Sequence, residues 1–471
     1  MRFGAALLDA VLDECLPENA AGLVVGVSGG ADSACLLSAL AELRRERRGR
    51  ERERSRGSSR HRGNLVSPAE SAAQLLPLRA VHVDHGLQAA SSALRESCRA
   101  LCSRLEVPLT VIEVSVDAIG ESLEAAAREA RYRAFASNLA PEECLLTAHH
   151  GDDQAETLLL QLLRGAGIKG LSAMPRRRRL GAGWHLRPLL QLSRRDLEAY
   201  ASAHGVEARE DPMNRDPRFD RAFLRSEIWP LIIERWPSAG HALGRAARHA
   251  ADAQELLDKS ADAALTFLRD GGALSVPGLR AMPAHERVNV LRRWLSEAGM
   301  VVPSSARIAE GLRQALAADS DHMPMVVWGT HALRRYRERL YVTPATIPSL
   351  LEHREWRVRA EARLDLGEGL GFLRWVPRRG GLDAERLPAV LSVRRRVGGE
   401  SLKPGSRART RRVAHLCQDM GILPWMRDVL PMIYAGDSLI AIGDIWRDAR
   451  WLAAGDQPGL DCIWEDAPIL C

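Results

Sequence analysis

The apolar run Leu23-Val24-Val25-Gly26-Val27 leads straight into Ser28-Gly29-Gly30-Ala31-Asp32-Ser33, and a helical pattern begins near Ala31. Few folds accept that order. A buried strand, a glycine turn and a helix start aim free backbone N–H groups and a positive helix end at one point, which suits phosphate. The loop has no Lys after its glycines and lacks the G-x-x-x-x-G-K-[ST] spacing of a Walker A loop. An anion loop without a Lys suits a pyrophosphate leaving group. The expected chemistry is therefore adenylation by ATP, with AMP and pyrophosphate as products. A plain Gly-Gly turn is the alternative. Two serines, Asp32 and the buried strand argue against it.

Up to about residue 165 the chain alternates apolar runs with helical patterns. This is the signature of a parallel sheet with helices on both faces. Strands are predicted at Leu23–Val27, Leu78–Val83, Leu109–Val114 and Cys144–Ala148, with helices near 31–46, 90–106, 122–139 and 151–164. Ligands in such folds bind outside the carboxyl ends of the strands. Ser28–Ser33, Asp84-His85-Gly86 and His149–Asp153 fall at those ends.

At 471 residues the chain exceeds the ~250–300 at which single cores divide. Residues 1–218 read as a doubly wound α/β catalytic domain, interrupted at 44–73 by a polar Arg- and Ser-rich stretch that reads as a flexible insertion. Residues 219–335 read as a helical domain, 336–384 as a connecting segment and 385–471 as a small α/β domain. Short strands (Leu391–Val393, Leu439–Ile442) there surround a helix, Arg411–Met420.

The formal net charge is +6, which leans toward an anionic partner. Lysines number three (Lys169, Lys259, Lys403), so Arg supplies the positive charge. No run approaches the ~18–20 apolar residues of a membrane span. The N-terminus turns acidic at Asp9, Asp13 and Glu14, unlike a signal peptide. A cytoplasmic protein without membrane partners is expected. The eight cysteines are scattered, with no C-x-x-C pair, so neither a zinc site nor an iron–sulfur cluster is supported.

Four further segments carry polar groups suited to chemistry. In Val81–Leu87, Asp84 and His85 reach the ligand edge of a strand. Thr147-Ala148-His149-His150-Gly151-Asp152-Asp153-Gln154-Ala155-Glu156-Thr157 packs histidines and carboxylates at a helix start. Asp152 and Asp153 there suit capping. Asp153 and Glu156 also suit a site facing Mg²⁺ or an incoming amine. Ser122–Tyr132 carries Arg128 and Arg131 on neighbouring positions of one helix face. Glu210-Asp211-Pro212-Met213-Asn214, followed by Asp220–Arg225, is a turn leading into a helix.

Taken in chain order, Ser28–Ser33, His82–Leu87, Ser122–Tyr132, Thr147–Thr157 and Glu210–Arg225 resemble the tRNA(Ile) lysidine synthetase family of N-type ATP pyrophosphatases, with an adenine nucleotide alpha hydrolase-like catalytic domain. The tail agrees through Arg396–Pro404, His415–Met420 and Gly421-Ile422-Leu423-Pro424-Trp425-Met426-Arg427-Asp428. The glycine loop is shared by several adenylating families; Glu210–Asn214 and Pro424–Asp428 narrow the match. The 44–73 stretch departs from the family pattern, and His415 stands where a Lys is common.

The resemblance implies a ligase using ATP and Mg²⁺. The wobble cytidine of a tRNA(Ile) with a CAU anticodon is adenylated at its C2 oxygen. The side-chain amine of free lysine then displaces AMP to give lysidine. A homodimer is compatible with the family. The implied catalytic residues are Asp32, Arg131, His149, Asp153 and Arg221, the last in competition with Arg225. Ser28, Gly29, Gly30, Ala31, Asp32, Ser33, Asp84 and His85 would bind nucleotide. Arg128, Glu156, Arg225, Trp425 and Arg427 are candidates for lysine or tRNA, and Asp32 and Asp84 for Mg²⁺. Two rivals are a thiolase-type tRNA adenylase, which needs reactive cysteines, and a non-catalytic tRNA-binding relative, in which the loop and acidic residues would have decayed.

Overall fold

The computed structural model describes residues 3–57, 76–84, 91–115, 123–207, 219–318, 323–348, 353–358, 362–455 and 457–468. His85, the Glu210–Asn214 turn and residues 58–73 of the predicted insertion lie outside them. The chain divides into two compact units, Met1–Leu257 and Asp258–Cys471.

The first unit opens with α1 (Ala5–Cys15), β1 (Gly22–Gly26), α2 (Ala31–Gly57) and β2 (Leu78–Asp84). It continues through α3 (Ser91–Leu105), β3 (Leu109–Glu113), α4 (Leu123–Asn138), β4 (Glu143–Leu146) and α5 (Gly151–Leu163). Then come α6 (Ile168–Leu171), the hairpin β5 (Arg177–Leu180) and β6 (Gly183–Leu186), and α7 (Arg194–His204). The strand order is β3-β2-β1-β4-β6-β5. β1 pairs parallel with β2 and β4, and β6 extends the parallel set beyond β4. Alternation decides which side chains face which helices. Leu23, Val25 and Val27 join the core with Leu36, Leu37 and Leu40 of α2. Val24, Val81, Val83 and Leu145 face the other way, onto Phe135 and Leu139. Both faces are buried, as a doubly wound sheet requires.

Helix α2 runs to Gly57, past its predicted end near 46 and into the stretch read as an insertion. Arg and Glu dominate 44–54. Both are good helix formers, so a polar run without an apolar stripe continues the helix. After α7 a short helix α8 (Asp220–Phe223), a π-helical turn (Leu224–Ile228), α9 (Trp229–Arg235) and the long α10 (Ala239–Leu268) follow.

The second unit corrects the sequence reading. A five-stranded antiparallel sheet, containing Ala273–Ser275, Met325–Trp328, His331–Tyr336 and Arg339–Pro344, accompanies helices expected to stand alone. Arg335 explains why it was hard to see. It reads as a surface residue, yet it is 1% exposed. Its guanidinium caps the carbonyls of Ala315 and Ala318 at a helix end, where unsatisfied carbonyls and the helix dipole favour a cation. Residues 336–384 are not a mere connection. Arg354–Arg357 pairs with Val390–Arg394, and Phe372–Arg379 pairs with Pro458–Glu465. The second pairing spans a long sequence separation that local pattern cannot reveal. Val413–Asp419 is the helix expected in the C-terminal part, set among antiparallel strands. No described helix is long and apolar enough to cross a membrane.

Candidate active site

β1, β2 and β3 are laid down in one direction across the sheet, and β4 then returns to the other side of β1. The crevice between the carboxyl ends of β1 and β4 is thus the topological switch point, where ligands of such sheets bind. The turn after β1 forms one wall and the turn after β4 the other.

The first wall is the glycine loop. Gly29 has φ +84°. A Cβ there would meet the Leu94 carbonyl oxygen at 3.2 Å, so both backbone hand and space require glycine. Ser33 Oγ accepts from Ser28 N–H (3.2 Å) and donates to the Gly30 carbonyl (3.0 Å). Gly30 N–H points to Ser28 Oγ (3.3 Å). The two serines thereby close the turn upon itself. Ala31 begins α2, and the Asp32 side chain is 42% exposed.

The second wall begins with Thr147 and ends inside α5. His150 is the N-cap of α5, and Asp153 Oδ2 accepts its backbone N–H (3.0 Å). The capping role expected for the aspartates is therefore real for Asp153. Asp152 instead accepts from Arg194 N–H (2.7 Å) and Trp229 Nε1–H (3.1 Å). His150 Nε2 lies 3.6 Å from Asp32 Oδ2 and 3.5 Å from Asp153 Oδ2. This imidazole joins the two walls. Burial opposes its charge, but Asp153, Asp32 and Asp152 outweigh burial and hold its pKa above the ordinary value. Sequence reasoning chose His149 of the His-His pair and passed over His150; no sequence signal separates them.

Asp153 and Glu156 sit one helical turn apart on α5 and share two arginines from the segment that follows residue 218. Arg221 donates to Asp153 Oδ1 (3.0 Å) and Glu156 Oε2 (2.9 Å). Arg225 donates to Asp153 Oδ1 (2.9 Å) and to both Glu156 oxygens (2.6 and 2.8 Å). The competition between Arg221 and Arg225 dissolves, because both occupy the same carboxylates. Burial raises the Asp153 pKa, but His150, Arg221, His149 and Arg225 overcome it and hold the carboxyl well below the usual range. Asp153 is an anion that does not readily take a proton.

His149 accompanies this network. Burial pushes its pKa down to about 3, with Asp153 opposing and Arg187, Arg128 and Arg221 assisting. Arg128 and Arg178 lie over the Tyr132 ring at 5.1 and 5.0 Å. Arg131 is half-buried on α4 beside Arg128. Arg187, missed in the sequence, is 2% exposed and donates to the Pro175 carbonyl (2.7 Å).

Other expected site residues lie elsewhere or are otherwise engaged. Asp84 closes β2, and its Oδ2 is 3.5 Å from Arg95 Nη1. His82 is a satisfied core residue, with Nδ1 2.9 Å from the Val27 carbonyl. Trp425 and Arg427 belong to the second unit. Trp425 packs edge-on to Tyr336 and Tyr341, and Arg427 donates to the Ile422 carbonyl and Tyr336 Oη. Among the described residues no His, Cys, Asp or Glu cluster forms a metal cage. Mg²⁺ held on nucleotide phosphates needs only one or two protein carboxylates. Asp32, exposed beside the glycine turn, fits that need better than Asp84.

The seven described cysteines are free and buried. Burial pushes the Cys35, Cys98 and Cys144 thiols up to about 12 and Cys102 to about 11. None of these four is a poised thiolate, which counts against the thiolase rival.

Known proteins resemble this chain along nearly its whole length. The PP-loop domain family matches residues 6–232, the TilS substrate binding domain 274–341 and the TilS substrate C-terminal domain 391–464. A tRNA(Ile)-lysidine synthase of Alkalilimnicola ehrlichii is 40% identical over 456 residues, spanning 95% of this chain and 94% of that protein. Those of Serratia proteamaculans and Pseudomonas aeruginosa are 39% and 38% identical, with 93% and 94% of this chain and 94% and 96% of theirs covered. A glycine loop facing a histidine–carboxylate turn, on a chain that matches these relatives nearly end to end, makes this protein a member of the tRNA(Ile)-lysidine synthase family.

Proposed function

We propose that the protein ligates free lysine to C2 of the wobble cytidine of a tRNA(Ile) with a CAU anticodon, through an adenylated cytidine. The products are lysidine in the tRNA, AMP and pyrophosphate. The observation that carries this reading is the His150 bridge between Asp32 and Asp153. It sets an anion-binding turn and a carboxylate cluster at one crevice, so phosphate release and amine attack share a site.

The physical demands of the two steps match the two walls. A carbonyl oxygen is a poor leaving group, and linkage to AMP makes it a good one. The backbone amides of Ser28–Ser33 and the start of α2 suit the pyrophosphate that departs. Mg²⁺ would neutralise phosphate charge, with Asp32 as its protein ligand. The attacking amine must be neutral. Asp153 accepts a hydrogen bond from the amine and orients it; the ammonium's proton passes to solvent before attack, because the lowered pKa makes Asp153 a poor proton acceptor. Arg221 and Arg225 hold Asp153 and Glu156 in place.

A groove of about 700 Å³ adjoins the start of α5 and is lined in part by Arg176, Arg195, Arg245, Arg248 and His241. Such a surface suits an RNA backbone. The test is incubation with ATP, labelled lysine and tRNA(Ile) bearing CAU. Label should enter the RNA, and AMP should appear only when that tRNA is present. AMP release that ignores the tRNA, or RNA without label, overturns the reading.

A further inference from the structure

A buried polar chain leads from the surface to His149, and the reaction as described makes no use of it. Arg178 Nε–H donates to His185 Nδ1 (3.3 Å). His185 Nε2 lies 2.8 Å from Thr147 Oγ1, which lies 2.7 Å from His149 Nδ1. The strands explain the meeting. Arg178 and His185 are cross-strand partners in the β5–β6 hairpin, and β6 runs beside β4, whose end carries Thr147.

The direction of every proton in this chain is fixed at its outer end. An arginine nitrogen only donates, so His185 Nδ1 carries no proton. His185 is 0% exposed. Burial, with Arg187 and Arg178 nearby, keeps it neutral. A neutral imidazole has one N–H, which must sit on Nε2 and donate to Thr147. Thr147 is buried, and its hydroxyl has no third partner among the described residues. Its own proton therefore goes to His149 Nδ1. The opposite arrangement would strand a buried hydroxyl proton without an acceptor, which is unfavourable. His149 is left with its N–H on Nε2.

We propose that Arg178, His185 and Thr147 are positioning residues that hold His149 in the Nε2–H tautomer, so that it meets the substrate as a hydrogen-bond donor and not as a proton acceptor. The matching ligand group is an acceptor oxygen, such as a base carbonyl or an amino-acid carboxylate. The charged groups around His149 come from four places: Asp153 on α5, Arg128 on α4, Arg187 after β6 and Arg221 on α8. Of these, Asp153 alone favours an imidazolium. Protonation at Nδ1 would also demand that Thr147 reverse, which His185 and Arg178 oppose. The identity of the substrate rests on the proposed function; the tautomer does not.

The experiment is a long-range ¹H–¹⁵N correlation of the full-length protein carrying ¹⁵N-histidine, with His149→Gln assigning the signal by its loss. His149 should show an acceptor-type Nδ1 and a protonated Nε2, unchanged between about pH 5 and 8. Thr147→Val should release the ring into mixed tautomers, and Thr147→Ser should restore it. Arg178 is exposed, so Arg178→Ala should fold and likewise mix the tautomers. Lysine incorporation in Thr147→Val should fall about tenfold in kcat, with KM for tRNA unchanged. A protonated Nδ1 in the unmodified protein overturns the proposal. So does a fixed tautomer in both Thr147→Val and Arg178→Ala. A correct tautomer with no lysine incorporation would sink the proposed function and leave this assignment standing.

Discussion

The turn after β1 and the turn after β4 end neighbouring parallel strands, yet one is held open and the other is filled. In Ser28–Ser33 the serine side chains bond to the loop itself, and Asp32 is partly open to solvent. In His149–Glu156 nearly every polar group is taken by another residue. Glu156 is 1% exposed and holds two arginines. The loop is ready for a ligand and gains little stability from its charge. The α5 turn spends its charges on its own architecture, so ligand and fold compete for the same groups. Function and stability should therefore separate at the first wall and travel together at the second.

Asp32→Ala is the widest test of that separation. AMP release should fall by roughly 10²–10³-fold, the scale for losing a charge-stabilising group. Stability should stay within about 0.5 kcal/mol, as for an exposed substitution. A large drop in the urea midpoint with normal AMP release would erase the distinction.

Glu156→Ala probes the filled wall. Breaking a buried ion pair costs about 3–5 kcal/mol. The lower end applies, because Arg221 and Arg225 remain 26% and 29% exposed. Denaturant midpoints should show this loss together with reduced lysine incorporation. Full stability with lost activity would mean that Glu156 is free for substrate after all.

Gly29→Ala sharpens the first wall from the backbone side. A positive φ costs about 1–2 kcal/mol for a residue with Cβ, and the Leu94 carbonyl leaves no slack. The KM for ATP should rise more than the KM for lysine. Equal changes in both would show that the turn does not hold the nucleotide alone.

The smallest effect concerns pH. The raised His150 pKa gives stability that is fully present below about 6.5, its unfolded value. That stability is lost as pH rises through the higher folded value. Asp153 has the opposite sign. Its contribution is present above about 3.9 and is lost as pH falls through its lowered folded value. Melting temperature should thus decline gently on the alkaline side, and His150→Gln should remove that slope. A slope that survives in the variant would locate the titrating group elsewhere.

Much of the first unit was legible because its signals are local. Leu23–Val27 and its three companions form strands within a few residues of their predicted limits, since apolar runs bounded by turns admit few alternatives. Gly29 and Ser33 were legible for the same reason. The second unit resisted. Arg335 is a buried cation in a strand, and Phe372–Arg379 finds its partner in Pro458–Glu465. Arg221 and Arg225 looked like alternatives because a linear reading cannot show two arginines gripping the same two carboxylates. Thr147 falls in a predicted strand, but the strands that carry Arg178 and His185 were not foreseen; only pairing of β4, β5 and β6 lines the three up.

The sequence alone determined a strand–glycine turn–helix of a kind suited to an anion, and the order of chemical groups along the first sheet. Those properties arise from neighbours in the chain, through φ, alternation and the missing Cβ of glycine. Tertiary structure decided which of those groups remain available. Whether Asp153 is a base or a paired anion, and which nitrogen of His149 bears the proton, depends on residues brought in from other strands and helices. Charge and hydrogen bonding act through space, so chain order could propose the partners but could not assign them.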